Sequence, residues 1–169
     1  MTILIITFLL TGLFSGLLAG LLGVGGGIII VPVSYFVLIS LGYSSDVAMH
    51  VSIASSIAII LFTSVSSIRS HLKFNNIDKR VVRKWSPGIM LGSLLGSFLA
   101  SNINGDFLII IFVSLAFLIS INMFFQKKIK TIKEDIPESF LVNSIISGTI
   151  GLLSVTIGIG GGSFSVPTL

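Results

Sequence analysis

Long apolar segments separated by short polar ones dominate the chain. The first segment carries no charged residue over 21 positions, and as a helix it would span about 31 Å, close to the roughly 30 Å hydrocarbon core of a bilayer. Ser86 and Pro87 are predicted to open the fourth segment as N-cap and first helical residue, and Pro137 to open the last. The apolar segments cover residues 2–22, 28–41, 46–68, 87–100, 107–125 and 138–157. This pattern predicts an all-α, polytopic helical bundle in a membrane.

The second apolar segment is too short to cross a bilayer comfortably. Residues 28–41 would form a helix of only about 21 Å. Our preferred interpretation is a re-entrant pair or a broken helix, with Gly23 to Gly27 near the middle of the membrane. One long kinked span, or two ordinary spans joined by a glycine turn at the membrane surface, are the alternatives.

The chain contains an internal repeat. Residues 16–32 recur at residues 151–167, and more than half of the matched positions are identical. Both copies hold a triple glycine followed by a proline, so residues 1–134 are interpreted as a first repeat and residues 135–169 as the beginning of a second. An inverted repeat is expected if the first glycine-broken pair enters and leaves the membrane on one side. A single kinked span would instead make the repeats parallel.

Composition and charge place the protein in a membrane. The chain is 53% apolar and 9% charged, with a mean hydropathy of +1.11, whereas soluble domains carry about 25% charged residues. All ten Lys and Arg fall within the predicted loops 69–86 and 126–138. Short basic loops stay cytoplasmic, which predicts a multi-pass protein of the cytoplasmic membrane. The basic loops lack an array of base-stacking aromatic residues, so no nucleic-acid partner is predicted.

The glycine breaks are the main candidate site. A helix interrupted in lipid exposes N–H and C=O groups that need partners, which a polar cavity can supply. The helix ends after Gly26–Gly27 and after Gly161–Gly162 would present N–H groups and a positive dipole end to an anion. A purely hinge-like or packing role is the alternative. The predicted substrate-binding glycines are Gly23, Gly25, Gly26, Gly27, Gly158, Gly160, Gly161 and Gly162.

A hydroxyl stripe on the segment 46–68 is the second candidate. Nearly one helical face holds Ser52, Ser56, Thr63 and Ser67, with Ser55 and Ser66 beside it. We expect these side chains to face the substrate cavity, although helix packing explains any single one of them.

Rows of glycines spaced by four predict close helix packing. One row comprises Gly12, Gly16 and Gly20, and small residues at this spacing let helix backbones approach. The other row comprises Gly88, Gly92, Gly96 and Ala100.

Catalytic and metal-binding chemistry has no residues to support it. The chain has no cysteine, and its two histidines, His50 and His71, have no partner at metal-ligand spacing. Every Asp and Glu lies outside the apolar segments or at their ends. We therefore predict no enzyme, no metal and no cofactor, and leave a proton-coupling role open for the histidines.

Four stretches in order resemble the sulfite exporter TauE/SafE family of probable permeases. They are GLLAGLLGVGGGIIIVP, SSIAIILFTSVSSIRSHLKFNNIDKR, GIMLGSLLGSFLA and GIGGGSFSVP. The resemblance implies a cytoplasmic-membrane permease for small sulfur-containing or organic anions, of the sulfite or sulfonate type. Family members carry a second half after the repeated glycine motif, so we expect this sequence to be truncated.

The functional prediction is therefore a permease that moves small anions by alternating access. Its partners would be the anion and the lipid bilayer, with a homo-oligomer possible. The alternative is a non-transporting membrane scaffold or assembly subunit, which the glycine rows and short length would also suit.

Overall fold

A computed structural model describes residues 2–22, 25–73, 79–125 and 140–160. This part of the chain is helical and contains no strand, which confirms the all-helical class. Residues Leu4–Leu21 and Ser45–Ser70 are each long and apolar enough to cross a membrane, and shorter apolar helical stretches lie at Gly27–Ser40, Gly105–Ile121 and Asn143–Ile157. The helices are α1 (Thr2–Leu22), α2 (Gly27–Ser40), α3 (Ser45–Lys73), α4 (Lys79–Ser101), α5 (Gly105–Phe125) and α6 (Phe140–Ile157).

Helix α4 begins earlier than the sequence pattern indicates. It starts at Lys79 and contains Pro87 in its interior, so the prediction that Ser86 caps its N-terminus is wrong. Pro87 has no N–H to donate to the preceding turn, but the Ser86 hydroxyl donates to the carbonyl oxygen of Val82 at 2.6 Å. Much of the predicted loop 69–86 is therefore helical, within α3 and α4. The predicted loop 126–138, with Pro137, lies outside the described residues.

Two sets of helices pack together. Helix α4 lies along α6, while α3 packs against α2 and α5. The apolar core lies where the second set meets the end of α6 and the residues that follow it, and it includes Val31, Ile53, Leu108, Ile157 and Ile159. Large apolar side chains cover the outer surface, as contact with lipid requires.

The glycine row of α4 packs as predicted. A Cβ atom on Gly92 would overlap the carbonyl oxygen of Gly148 in α6, and one on Gly96 would lie 2.6 Å from that of Leu152. The contact is reciprocal, since a Cβ on Gly151 would lie 2.5 Å from the carbonyl oxygen of Ile89. The two backbones therefore approach at a distance that only glycine allows.

The glycine row of α1 does not pack in this way. Among the described residues, no atom lies within 4 Å of a Cβ placed on Gly12, Gly16 or Gly20. Within the described residues, the predicted helical neighbour of this row is therefore absent. Glycines spaced by four permit a second helix to approach closely, but the spacing does not show whether a second helix lies beside a given row.

A polar cluster joins the start of α3 to the turn between α4 and α5. The Asp46 carboxylate accepts the N–H of Gly105 at 2.5 Å. His50 places Nδ1 2.8 Å from the Asp46 carbonyl oxygen and Nε2 3.0 Å from that of Ala100. His50 thus ties α3 to the end of α4. The side chain of His71 lies outside the described residues.

Candidate functional site

The two glycine breaks lie against each other, backbone to backbone. A Cβ atom on Gly27 would overlap the carbonyl oxygen of Gly158 and lie 2.7 Å from the Cα atom of Ile159. A Cβ on Gly25 would overlap the carbonyl oxygen of Ile159. Gly25, with φ +79°, and Gly158, with φ +70°, adopt the left-handed conformation that favours glycine. The two glycine breaks are thus far apart in sequence but in direct contact in the structure.

Helix α6 ends at this contact in a Schellman motif. The N–H of Gly158 donates to the carbonyl oxygen of Val155 at 3.2 Å, and the N–H of Ile159 donates to that of Ser154 at 3.1 Å. The Ser56 hydroxyl of α3 donates to the carbonyl oxygen of Gly158 at 2.7 Å, in a buried position. This side chain satisfies a carbonyl group that the helix end leaves without an intrahelical donor.

Helix α2 begins at the same contact. Gly26 is its N-cap residue and supplies no side-chain hydrogen bond. The carbonyl oxygen of Gly26 accepts the N–H groups of Ile29 and Ile30 at 3.1 and 3.0 Å, and also the Ser15 hydroxyl of α1 at 2.9 Å. The positive end of the α2 dipole therefore lies at the breaks, beside the negative end of α6.

A cleft of about 660 Å³ lies between α1 and α3 and reaches both breaks. Its volume is in the range of small-molecule sites, which is about 300–1,000 Å³. Its glycine backbone comes from Gly12, Gly16, Gly20, Gly25, Gly26 and Gly160. Its hydroxyl groups come from Thr11, Ser15, Thr63, Ser64, Ser66, Ser67 and Ser70. Apolar side chains, among them Phe8, Ile59 and Ile60, make up most of the remaining lining, so the cleft is mainly apolar with hydroxyl groups and a helix N-terminus along it.

The predicted glycines divide between the cleft and the contact beside it. Gly25, Gly26 and Gly160 line the cleft. Gly27 and Gly158 press against each other instead. Gly23, Gly161 and Gly162 lie outside the described residues.

The predicted hydroxyl stripe also divides. Thr63 lines the cleft, and Ser56 supports the second break. Ser52 is buried and donates to the Ala48 carbonyl oxygen of its own helix at 2.7 Å. Ser55 is exposed and is not among the residues that line the cleft.

Sequence reasoning missed the contribution of α1. Thr11 and Ser15 lie four residues apart and both line the cleft. Their spacing puts the two hydroxyls on one helical face, a pattern of the kind that singled out the stripe on α3. This pair of hydroxyls is difficult to recognise in the sequence, because the surrounding leucines and glycines indicate only a lipid-facing helix.

The residues that line the cleft include no Lys, Arg, Asp or Glu. A negative charge in the cleft would therefore be met by hydroxyl groups, backbone N–H groups and the N-terminus of α2. The described residues also contain no group of three His, Asp or Glu that could hold a metal ion. The arrangement is suited to binding a small ligand rather than to proton transfer.

Comparisons with known proteins agree on one family. The sequence model of the family described as sulfite exporter TauE/SafE matches residues 8–169. A "Probable membrane transporter protein" of Haemophilus influenzae is 33% identical over 167 residues, covering 98% of this chain and 62% of the relative.

Two further relatives carry similar names. The "Probable membrane transporter protein YunE" of Bacillus subtilis is 29% identical over 88% of this chain and 60% of its own length. The "Probable membrane transporter protein MJ0441" of Methanocaldococcus jannaschii is 29% identical over 87% of this chain and 54% of its own. The chain thus spans about 60% of the length of the first two relatives. No solved structure matches.

Proposed function

Because the chain belongs to the sulfite exporter TauE/SafE family, we propose that it forms part of a multi-pass permease that carries a small anion across the cytoplasmic membrane. The family is one of membrane transporters rather than enzymes, in agreement with the prediction from sequence. The proposed substrate is a sulfur-containing or organic anion of the sulfite or sulfonate type. The proposed mechanism is alternating access.

The observation that supports this proposal is the cleft that ends at the paired breaks. The N-terminus of α2 starts there at Gly27, with Gly26 lining the cleft. An anion at this end would accept N–H and O–H hydrogen bonds and would lie at the positive end of the helix dipole. The absence of charged side chains from the lining favours a weakly held ligand, which a transporter must also release.

Glycine at the cleft end keeps the backbone accessible. A Cβ atom on Gly26 would lie 2.8 Å from Ser15 Oγ and 3.3 Å from Ile30 Cδ1. Any larger residue would therefore press against Ser15 and Ile30, which also line the cleft.

The proposed topology follows from charge. The basic segments 69–86 and 126–138 lie on the cytoplasmic side, and the breaks lie near the middle of the bilayer. The two repeats are inverted, so that the first break and the second face opposite sides of one site.

Flux through proteoliposomes tests the role of the cleft. The complete gene product is reconstituted, and sulfite uptake is measured for wild type, Thr63→Val and Thr149→Val. Both threonines are exposed and bond a carbonyl oxygen three residues earlier, at 3.2 and 2.8 Å, but only Thr63 lines the cleft. Loss of one hydrogen bond to a charged ligand should raise the half-saturating sulfite concentration about tenfold in Thr63→Val. Thr149→Val should behave as wild type.

The outcomes separate the candidate functions. Equal half-saturation in both variants would remove the cleft from the substrate path. Stable insertion of the wild type with no flux of sulfite, sulfonates or carboxylates would favour the non-transporting scaffold.

A further inference from the structure

One face of α1 lies open in the structure although its sequence is built for close packing. Leu9, Leu13 and Leu17 expose 68%, 63% and 56% of their surface. Gly12 and Gly16 lie between them and have no atom of the described residues within 4 Å of a Cβ position. Two bare glycine backbones on a membrane helix leave a shallow groove that lipid chains fill less well than a neighbouring helix.

The internal repeat identifies the equivalent face of α6, and that face is occupied. The repeat aligns Gly16 of α1 with Gly151 of α6. A Cβ on Gly88 of α4 would overlap Ser147 Oγ, one on Gly92 would overlap the Gly148 backbone, and one on Gly96 would lie 2.6 Å from the Leu152 carbonyl oxygen. Helix α4 therefore sits in a groove of α6.

The groove of α6 corresponds to the open face of α1. In the register of the repeat, the α6 positions 147, 148, 151 and 152 align with Gly12, Leu13, Gly16 and Leu17. These are residues of the open face, and Gly12 and Gly16 repeat the small side chains of Ser147 and Gly151.

We propose that a helix of the second repeat, equivalent to α4 of the first, packs against this face of α1. Two equivalent repeats should make equivalent contacts with each other. Helix α4 of the first repeat packs on α6, which belongs to the second repeat. The second-repeat helix equivalent to α4 should therefore pack on α1, the first-repeat equivalent of α6. Such a helix would lie one repeat length beyond α4 along the polypeptide. The part of the Bacillus subtilis relative that matches this chain makes up 60% of its length, and the rest leaves room for that helix.

The seated helix would also close the cleft. Gly12 and Gly16 belong both to the open face and to the cleft lining. A helix on this face would therefore fill the part of the cleft beside Gly12 and Gly16 and would shield the rest, at Gly25, Gly26 and Thr63, from lipid. The inference depends on the repeat and the α4–α6 contact, and not on which substrate is carried.

Bulky substitutions at Gly16 test the proposal. In the described structure a Cβ atom on Gly16 has no atom within 4 Å, and leucine is a better helix former than glycine, so without an occupant Gly16→Leu should melt at or above the wild-type temperature. With the occupant it should lower the melting temperature of the complete gene product in detergent by about 5 °C. Gly92→Leu, which collides with α6, is the positive control, and Ala54→Leu on the exposed surface of α3 is the negative control.

The mass of the particle by light scattering identifies the occupant. A lowered melting temperature with unchanged mass supports the proposal. An unchanged or raised melting temperature overturns it in favour of lipid, and a lowered one with loss of a dimer overturns it in favour of a second copy.

A second measurement covers the case in which Gly16→Leu does not fold. A photo-crosslinking benzoylphenylalanine replaces Leu13, and the adduct is mapped by mass spectrometry. Attachment within the same polypeptide, one repeat length beyond α4, supports the proposal. Attachment to lipid or to a second copy contradicts it.

Discussion

The substitution Gly27→Ala should have two opposite effects on stability, because alanine favours the helix but disturbs the contact between the two breaks. Gly27 is the first residue of α2, and alanine is the better helix former by about 1 kcal/mol. The new Cβ atom, however, would overlap the carbonyl oxygen of Gly158 and lie 2.7 Å from the Cα atom of Ile159. Both obstacles are backbone atoms, which cannot rotate away as a flexible side chain can.

We expect the contact to outweigh the propensity. Overpacking costs about 1–3 kcal/mol, and a collision with backbone belongs at the upper end of that range. The net loss should be about 2 kcal/mol, or roughly 4–8 °C in melting temperature for a chain of this size. Gly20→Ala in α1, where no described atom lies within 4 Å, is the control and should melt at or slightly above the wild-type temperature.

Thermal unfolding of the purified protein in one detergent measures both variants. A lower melting temperature for Gly27→Ala alone supports packing of the breaks against each other. If Gly27→Ala were as stable as Gly20→Ala, the breaks would not be in contact, and the account of the site would fail with them.

Two further pairs of variants probe the same packing. Gly92→Ala should lower the melting temperature because its Cβ would overlap the carbonyl oxygen of Gly148. Gly148→Ala should be tolerated, because the nearest atom to its Cβ lies at 3.5 Å. Equal effects of the two substitutions on the melting temperature would contradict the described α4–α6 contact. Ser56→Ala should cost about 1–3 kcal/mol, because the buried carbonyl of Gly158 loses its hydroxyl donor, whereas Ser52→Ala removes only a bond within α3 and should cost less. Chemical denaturation of the purified variants measures the second pair, and a larger loss for Ser52→Ala would refute the assignment.

The apolar pattern predicts most helix bounds because hydrophobicity alone defines a lipid-facing helix. The predicted segments 2–22, 28–41 and 107–125 correspond to Thr2–Leu22, Gly27–Ser40 and Gly105–Phe125. The pattern fails at α4, where Lys and Arg interrupt the few apolar residues of the first turns. The Lys and Arg residues there are good helix formers, and Pro87 lies inside the helix, which a rule that places proline at the first helical position does not anticipate.

The candidate site is only partly readable from sequence. The repeat pointed to both glycine breaks, but it could not show that Gly27 and Gly158 touch, since that contact depends on how α6 is placed. Helical periodicity grouped Ser52, Ser56 and Thr63 on one face, yet the structure gives the three hydroxyls different partners. A face of a long helix passes several neighbours, and its environment therefore changes from turn to turn.

We propose that the paired glycine breaks form the anion-binding end of the cleft. Sulfite flux into proteoliposomes by Gly26→Leu tests it most directly, because the added side chain would grow from a residue that lines the cleft and whose Cβ already lies 2.8 Å from Ser15 Oγ. We expect Gly26→Leu to insert into the membrane at the wild-type level but to carry no sulfite, whereas the wild type carries sulfite. Wild-type flux in a correctly inserted Gly26→Leu protein would contradict it.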